Sequence, residues 1–463
     1  MKGQEEGGAG ILLYVVIALA MFLDGLDGTI VNVALPTIAS DLGIGTSTAS
    51  WIVTVYFLVM AGLILVMGKV CDSGAVKMVL VYGFAVFSIG SLACGLSDDV
   101  AALLAFRAVQ GVGAAMLAAS GMLICVTFVP PHKVTLALTV GLMGSSVGAA
   151  IGPALGGILT QSMSWHWVFF INVPVGIVAA LLAGRVVPSD RGFDRSGFDT
   201  VGAAMLFVSL MCGLYALESF PSHGVTVPSI VALLVFAVVF PLFVRHESAN
   251  PNPVIKVGLF RRMGLVQVVV AFTLMNALYM GALYLLPFLM RIEMGFDTVT
   301  SSLHILIPAI ATLCLCLFVA RMAETRGNRV FAVAGCVVMT VFMVAACLLD
   351  GERHVLLVAA LVLLGLTWGV AGGPIGSRII DNVPPEDRGA GSSLLSFFIY
   401  FGCAMGTALF SGLFSIGSGS AGTSIDALSP DVFMSGFQFS MLVGVVLAIL
   451  AVVLSVRVRE TDA

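Results

Sequence analysis

The stretch MFLDGLDGTIVNVALP, Met21–Pro36, decides the fold of this chain. It lies in an apolar run that begins near Ile11, and it carries two carboxylates, Asp24 and Asp27. A charge near the middle of a membrane helix costs roughly 2.5–3.5 kcal/mol on insertion scales. Two acids three residues apart cost more, because like charges resist joint ionisation, and they lie on nearly one helix face. We therefore expect this face to look into a cavity inside the protein, away from lipid.

The composition of the chain favours a bilayer as its solvent. The sequence is 59% hydrophobic and 10% charged, whereas soluble domains average about 25% charged residues. The net charge of −4 provides no basic footprint, so we expect no nucleic-acid partner. The cysteines show neither metal-ligand nor disulfide-framework spacing. The first apolar run contains acids and lacks a small-residue cleavage site, so we interpret it as a retained membrane span.

Runs of about 20 mostly apolar residues predict membrane spans. Fourteen such runs cover residues 11–35, 50–70, 77–96, 99–128, 134–159, 166–186, 200–217, 227–245, 264–289, 301–321, 329–349, 354–375, 391–415 and 433–456. Nearly all Lys and Arg residues fall at the ends that share a side with both termini, and the exceptions are Arg107, Arg291 and Arg353. This bias predicts a multi-pass protein of the plasma membrane with both termini in the cytoplasm.

The chain repeats itself. Residues 129–155 match residues 383–409 at a constant offset, and a second match relates 68–72 to 320–324. We therefore predict three segments. They are an N-terminal six-helix bundle at 1–186, a linker with two inserted transmembrane helices at 187–262, and a C-terminal six-helix bundle at 263–463. Two parallel six-helix repeats around a midplane site are a transporter plan.

Arg107 lies inside the fourth predicted span. Its guanidinium keeps its charge at any useful pH, and within a membrane it needs a carboxylate, a carbonyl or water. Arg107 and Asp27 each stand about eight residues from the outer ends of their spans, or roughly 12 Å deep at 1.5 Å per residue. The matching depths predict a direct or water-bridged pair with Asp27 or Asp24. The alternative is that Arg107 meets only backbone carbonyls.

The fifth span contains Gly148, Gly152, Pro153, Gly156 and Gly157. Glycines four apart form a flat face on which another helix packs closely, and Pro153 removes a backbone donor and kinks the helix. Packing of small residues explains the glycines but not their order around the proline. The order resembles the antiporter signature of the major facilitator superfamily, which implies an exporter.

The turn after the second span also resembles a motif of that superfamily. In the family a Gly starts the turn, and an Asp meets helix ends and basic residues. The resemblance implies a cytoplasmic gate formed by Gly68, Asp72 and Lys77, with Glu324 from the repeat copy. Asp72 can accept hydrogen bonds from a helix N-terminus and so latch an outward-open state. The family's second Gly comes one residue early, at Gly74, and a basic loop that only sets topology is the alternative.

Three further stretches carry resemblances, and the first and third of them narrow the family to the fourteen-spanner drug:proton antiporters. Leu26–Pro36 is similar to their first-span signature, Arg107–Gly113 to the superfamily's span-4 motif, and Trp165–Gly176 to their span-6 entry. In that family the position of Asp27 is an intramembrane acid tied to proton or cation binding. An acid at the position of Asp24 is less usual in that family.

We therefore predict an all-α membrane protein of the major facilitator fold that is not an enzyme. It would export lipophilic or cationic drugs and other amphipathic small molecules in exchange for protons, by alternating access. Protons would neutralise Asp27, and with it Asp24, while Arg107 opposes the rise in their pKa. The proton gradient would drive the monomer in the lipid bilayer without a cofactor or metal, and Asp27→Asn should abolish coupled export.

Five polar or aromatic residues are candidates for the substrate cavity. They are Gln110, Asn276, Tyr279, Trp368 and Tyr400. Aromatic rings suit a lipophilic cation. Two other functions stay open. The protein could export an endogenous metabolite or organic anion with Arg107 as the substrate ligand, or it could be a non-transporting membrane receptor.

Overall fold

The computed structural model describes residues 2–129, 134–189, 199–223, 225–251, 253–261, 263–383, 388–419 and 428–457. Within these ranges the protein is helical. The α-helices are α1 (Lys2–Asp41), α2 (Thr46–Val70), α3 (Val76–Gly95), α4 (Val100–Thr127), α5 (Val134–Ser162), α6 (Trp167–Phe170), α7 (Asn172–Val186), α8 (Thr200–His223), α9 (Val227–Ala249), α10 (Met263–Ile292), α11 (Thr298–Arg326), α12 (Asn328–Cys347), α13 (His354–Asp381), α14 (Arg388–Ser418) and α15 (Pro430–Arg457). A π-helical turn, Cys71–Ala75, and a 3-10 helix, Val257–Arg261, connect some of them.

The fourteen predicted spans are confirmed. In the described ranges 14 helical segments are long and apolar enough to cross a membrane, and each overlaps one predicted run. The short helix α6 and α7 together form the sixth span. The seventh span, the shortest run in the sequence, continues in α8 as far as His223.

The helices pack as two equivalent sets. In the first set α1 packs on α5, α2 and α3 pack on α4, and α3 packs on α7. In the second set α10 packs on α14, α11 and α12 pack on α13, and α12 packs on α15. The sets meet along two seams, α2 with α14 and α5 with α11, which the same correspondence relates. This pairing agrees with the repeat in the sequence, whereas the boundaries of the three segments stay a prediction.

The helices α8 and α9 form a hairpin outside the two sets. The inner member, α8, packs on both α2 and α14 and so covers one of the two seams. There the ring of Tyr215 lies 5.8 Å from that of Trp51 on α2, and Phe207 lies against Gly62. The outer member, α9, contacts α8 and the 3-10 helix. Since α9 is apolar and largely exposed, its outer face is suited to lipid.

The close approach of α5 to α1 explains the glycines of the fifth span. A Cβ at Gly148 would lie 2.3 Å from the carbonyl oxygen of Phe22, and one at Gly156 would lie 2.6 Å from that of Ile30. At Gly152 it would lie 2.2 Å from Oγ1 of Thr29. These distances leave no room for a side chain, so the glycines are needed for the backbones to approach.

Two turns require a left-handed backbone. Gly74 has a φ of 102° between α2 and α3, and Gly327 has a φ of 81° between α11 and α12. A residue with a Cβ is strained in this region of φ, whereas glycine adopts it readily. The position of Gly74 therefore accounts for the glycine that comes one residue early in the family pattern, and Gly327 repeats the turn in the second set.

Replacing Gly148 by Ala should destabilise the protein. The new Cβ would meet backbone of α1, and overpacking of this kind costs typically about 1–3 kcal/mol. Thermal unfolding of the purified protein in detergent measures the effect as a lower midpoint. Gly184→Ala is the matched control, because nothing lies within 4 Å of a Cβ there and Ala favours a helix. Equal midpoints for the two variants would contradict the packing argument.

Candidate functional site

A buried network surrounds Asp27 in the first helix set. Arg107 Nη1 donates to Asp27 Oδ2 over 2.6 Å. The other carboxylate oxygen accepts from Gln110 Nε2 at 2.8 Å and from Asn172 Nδ2 at 3.1 Å. Both charged residues are 1% exposed. The pairing that the matched depths predict is therefore present as a direct and fully buried contact.

Arg107 forms further contacts in the network. Its Nε donates to the carbonyl oxygen of Ile52 at 3.0 Å, and Nη1 also reaches Gln110 Oε1 at 2.8 Å. The guanidinium carbon lies 4.2 Å from the centre of the Tyr56 ring. Ser91 accepts from Gln110 at 3.1 Å and extends the network to α3. The network thereby joins α1, α2, α3, α4 and α7, and its hydrogen bonds and ion pair offset the cost of burying the charge.

Asp24 has a different environment from Asp27, although the sequence places the two on nearly one helix face. Its carboxylate is half-buried, and Oδ2 accepts a hydrogen bond from the Tyr400 hydroxyl on α14 at 2.9 Å. The Tyr400 ring stacks on Phe57 of α2 with centroids 6.4 Å apart. Among the described residues, no basic side chain forms an ion pair with Asp24. Asp24 therefore lies at the α2–α14 seam, between the two sets.

A small cavity of about 20 Å³ lies between α1, α5, α10 and α11. Thr29, Asn32, Pro153 and Tyr279 are among the residues that line it. This volume is close to the minimum that holds one water molecule. The Oδ1 atom of Asn32, one of the lining residues, is buried without a hydrogen-bond partner among the described residues. Sequence reasoning missed Asn32, although it belongs to the first-span signature.

The predicted cavity residues fall in four environments. Tyr279 lines the small cavity, and its ring lies 6.0 Å from that of Trp368, which in turn lies 6.0 Å from that of Phe272. Tyr400 lies at the seam beside Asp24. Gln110 is fully buried in the Asp27 network. Asn276 donates to Phe272 O of its own helix at 2.9 Å and is 4% exposed, since α14 packs over it at Gly402.

The ends of the two sets away from the chain termini are in contact. Arg291 donates to the Thr37 hydroxyl at 3.3 Å, and that hydroxyl lies 3.4 Å from the hydroxyl of Thr298. The Tyr284 hydroxyl donates to the carbonyl oxygen of Thr46. We call this group of contacts the far-end closure. It joins α1 and α2 of the first set to α10 and α11 of the second set.

Gly157 belongs to the far-end closure. A Cβ on this residue would lie 2.1 Å from Oγ of Ser302 and 2.9 Å from the carbonyl oxygen of Thr298, both on α11. The other glycines of the motif face α1 within the same set. The motif therefore serves two contacts, one inside the first set and one across the α5–α11 seam.

The predicted cytoplasmic gate is described only in part. Gly68 lies in the last turn of α2, and Lys77 lies half-buried in the first turn of α3. The side chains of Asp72 and Glu324 lie outside the described residues, so the latch stays a prediction. The neighbouring Lys69 donates from Nζ to the carbonyl oxygen of Pro253 in the linker after α9. That contact ties the end of α2 to the inserted segment.

Two helix sets around a polar midplane define a multi-pass membrane transporter. The family model of the Major Facilitator Superfamily matches residues 17–407, and the chain belongs to that family. It is 29% identical to the riboflavin transporter RibZ of Clostridioides difficile over 87% of this chain and 88% of that protein. It is 32% identical to the tetracenomycin C resistance and export protein of Streptomyces glaucescens, over 85% of this chain and 74% of that protein.

Solved structures share this fold. A bacterial homologue of the human lysosomal transporter Spinster superposes with a TM-score of 0.70. The match covers 98% of this chain and 99% of that chain, at 16% identity. The family and the relatives are transporters and not enzymes. One of these two relatives is named as a riboflavin transporter and the other as an export protein for tetracenomycin C.

Asp27→Asn should lower the stability of the protein strongly. The amide keeps the shape of the carboxylate but leaves the Arg107 charge buried without compensation, and breaking a buried pair in this way costs about 3–5 kcal/mol. Thermal or denaturant unfolding in detergent measures the loss. Asp24→Asn is the matched control three residues away, where no buried cation depends on the carboxylate, and its midpoint should stay near wild type. Equal losses in both variants would contradict the assignment of the network.

Gly157→Ala should open the far-end closure. A Cβ at this position would push α11 away from α5, because it would meet backbone as well as the Ser302 side chain. A single cysteine at buried Ser301, in a background without the native cysteines, reports opening by its reaction rate with a membrane-impermeant maleimide. We expect a several-fold faster rate in Gly157→Ala and no change in Gly184→Ala. A rate as slow as in the parent would show that Gly157 does not control the closure.

Proposed function

We propose that the protein is a proton-coupled antiporter that exports lipophilic or cationic amphipathic small molecules. It would work as a monomer of the plasma membrane, by alternating access, with both termini in the cytoplasm. The observation that supports this most directly is Asp24, a half-buried carboxylate without a cationic partner among the described residues, hydrogen-bonded to Tyr400 across the seam. An acid in such a place can take either a proton or a cation, and intramembrane acids mark such pathways.

In this proposal the two acids of α1, Asp24 and Asp27, have different roles. Asp27 accepts three hydrogen bonds in a sealed network, one of them from the Arg107 guanidinium, so it orients α1. Among the described residues, Asp24 accepts from one neutral donor, the Tyr400 hydroxyl, and it would exchange protons first. Protonation of Asp27 is the further step that the sequence interpretation assigned to it, and it requires the network to open. We therefore assign proton coupling to Asp24, whereas Asp27 and Arg107 hold the helices of the first set in place.

Proton uptake at Asp24 changes the contact between the two sets. Hydrogen bonds to an ionised carboxylate are roughly twice as strong as those between neutral groups. Neutralising Asp24 therefore weakens its bond with Tyr400 and removes the charge that holds a cationic substrate. Because the far-end closure is formed in this state, substrate would reach Asp24 from the side of the termini. The opposite state, with the far end open, would admit protons and release substrate.

The surroundings of Asp24 favour an aromatic or apolar cation. Phe57 and Tyr400 stack beside the carboxylate, and Tyr279 and Trp368 form an aromatic pair on the second set. A cation over an aromatic face gains about 0.5–2 kcal/mol, more when water is excluded. The relative that exports tetracenomycin C supports export of a small molecule.

The alternative functions have less support. Arg107 is 1% exposed, and its donors serve Asp27, Gln110 and Ile52. It is therefore poorly placed to bind an organic anion. A neutral aromatic metabolite is the second candidate, since the relative RibZ is a riboflavin transporter and stacked rings bind planar molecules. That candidate predicts transport that does not need the charge of Asp24.

Asp24→Asn should abolish proton-driven transport without unfolding the protein. In sealed proteoliposomes with an imposed pH gradient, wild-type protein should move ethidium against its gradient, and the variant should lose this movement because it mimics the protonated acid. Tyr400→Phe should retain part of it. Asp98→Asn, at an exposed loop position, is the matched control and should transport like wild type.

Ethidium binding at two pH values tests the same exchange without a gradient. Wild-type binding should weaken several-fold as the pH falls from about 8 to about 6, because protons compete for the carboxylate. Binding to Asp24→Asn should be weak at both. If the variant kept both its gradient-driven transport and its pH-dependent binding, proton exchange at Asp24 would be excluded.

A further inference from the structure

A large apolar cavity of the described structure lies apart from Asp24, Asp27 and the small cavity. It has a volume of about 900 Å³ and lies between α8, α9, the 3-10 helix and α14. Leu210 of α8, Phe236 and Phe240 of α9, and Phe397 and Phe401 of α14 are among its lining residues. The rings of Phe236 and Phe240 stack at 5.4 Å, and those of Phe397 and Phe401 at 5.7 Å. We call this cavity the hairpin groove.

The lining of the hairpin groove is hydrocarbon almost throughout. Ser209 is its one polar side chain among the described lining residues, and its hydroxyl donates to the carbonyl oxygen of Leu206 in its own helix at 2.8 Å. Sites for drug-sized ligands contain a few placed polar groups that fix the orientation of the ligand. The hairpin groove offers no such group, so it suits a plain hydrocarbon chain better than a drug molecule.

The dimensions of the groove also fit a lipid chain. Its lining on α8 runs from Leu206 to Phe220, which spans roughly 20 Å at 1.5 Å per residue. The hydrocarbon core of a bilayer is roughly 30 Å thick, so the groove is longer than one leaflet. It faces the bilayer beside α9, whose apolar side chains such as Leu233 and Leu234 are 45% and 60% exposed.

The end of the groove near the chain termini carries positive charge. Val244 and Ile255 line this end, and Arg245 and Lys256, the residues that follow them, are exposed. Among the described residues, these two exposed basic side chains follow the lining directly in sequence. A basic rim above an apolar groove matches an anionic headgroup with its acyl chain.

The acids near the rim are occupied by donors of the protein. Burial alone would raise the pKa of the Asp199 carboxyl, but hydrogen bonds from the Gly202 amide, His246 and Asn250 hold this pKa below its usual value. Glu247 is buried and accepts from the Ile255 amide at 2.8 Å. These contacts hold the two carboxylates inside the hairpin, and the outward-facing charge of the rim stays basic.

We propose that the hairpin groove binds an anionic phospholipid from the leaflet on the side of the chain termini. An acyl chain fills the space between α8, α9 and α14, and Arg245 and Lys256 hold the headgroup. The lipid would support one side of α14, the helix that carries Tyr400. The two inserted helices would thereby form a lipid site at the α2–α14 seam, which gives them a role beyond covering it.

Photo-crosslinking tests this assignment. The full-length protein is placed in phosphatidylcholine nanodiscs with a small fraction of phosphatidylglycerol that carries a diazirine midway along one acyl chain, and labelled peptides are mapped by mass spectrometry. We expect label on groove residues of α8, α9 and α14. Leu233→Trp fills the groove and should reduce this label several-fold. Leu234→Trp, next to it on α9 but outside the groove lining, should label like wild type.

The same assay tests the basic rim and the alternative that a transported substrate occupies the groove. Lys256→Gln should reduce labelling by phosphatidylglycerol more than labelling by the matching phosphatidylcholine probe, and thermal midpoints verify that each variant is folded. Equal groove labelling in wild type and Leu233→Trp would overturn the proposal. Label spread evenly over other lipid-facing positions such as Tyr82 would also overturn the proposal. Displacement of the label by ethidium would assign the groove to transported substrate and also overturn it.

Discussion

The ion pair of Arg107 and Asp27 is the interaction on which the first helix set depends. It is fully buried, and its hydrogen bonds reach five of the helices of that set. A charge at this depth is tolerated only with a complete set of partners. The pair therefore determines how α1, α2 and α4 rotate about their axes. The orientation of α1 in turn decides where every other polar group of the first span points.

That rotation separates the two acids of α1. Residues three apart on a helix differ by about 60° in direction at 3.6 residues per turn. With Asp27 aimed into the first set, this angle is enough to aim Asp24 at the second set, where Tyr400 meets it. One helix can therefore carry both Asp27, which is sealed in the buried network, and Asp24, which lies between the two sets. The glycines of α5 complete the arrangement, since they let α5 approach α1 on one face and α11 on the other.

Much of the architecture could be predicted from the sequence, because a bilayer restricts which backbone structures can span it. Backbone groups in lipid must be satisfied within a helix, so apolar runs predicted all fourteen spans. The depth of Arg107 and Asp27 followed from residue counts in the same way. Contacts that depend on rotation were not predictable. Residue counts place Gln110 in a span but do not distinguish the sealed network from an open cavity, and they gave no signal for the partner of Asp24 or for the role of Asn32.

The sequence by itself determined that this chain is a fourteen-span, two-repeat membrane protein with an acid and an arginine at one depth. These properties depend on length, hydropathy and spacing, which are local. Only the tertiary structure decided which acid is sealed and which lies between the sets, that Gly157 contacts α11, and that the inserted hairpin encloses an apolar groove. Each of these depends on how helices rotate and pack against partners far away in the chain, and no local pattern carries that information.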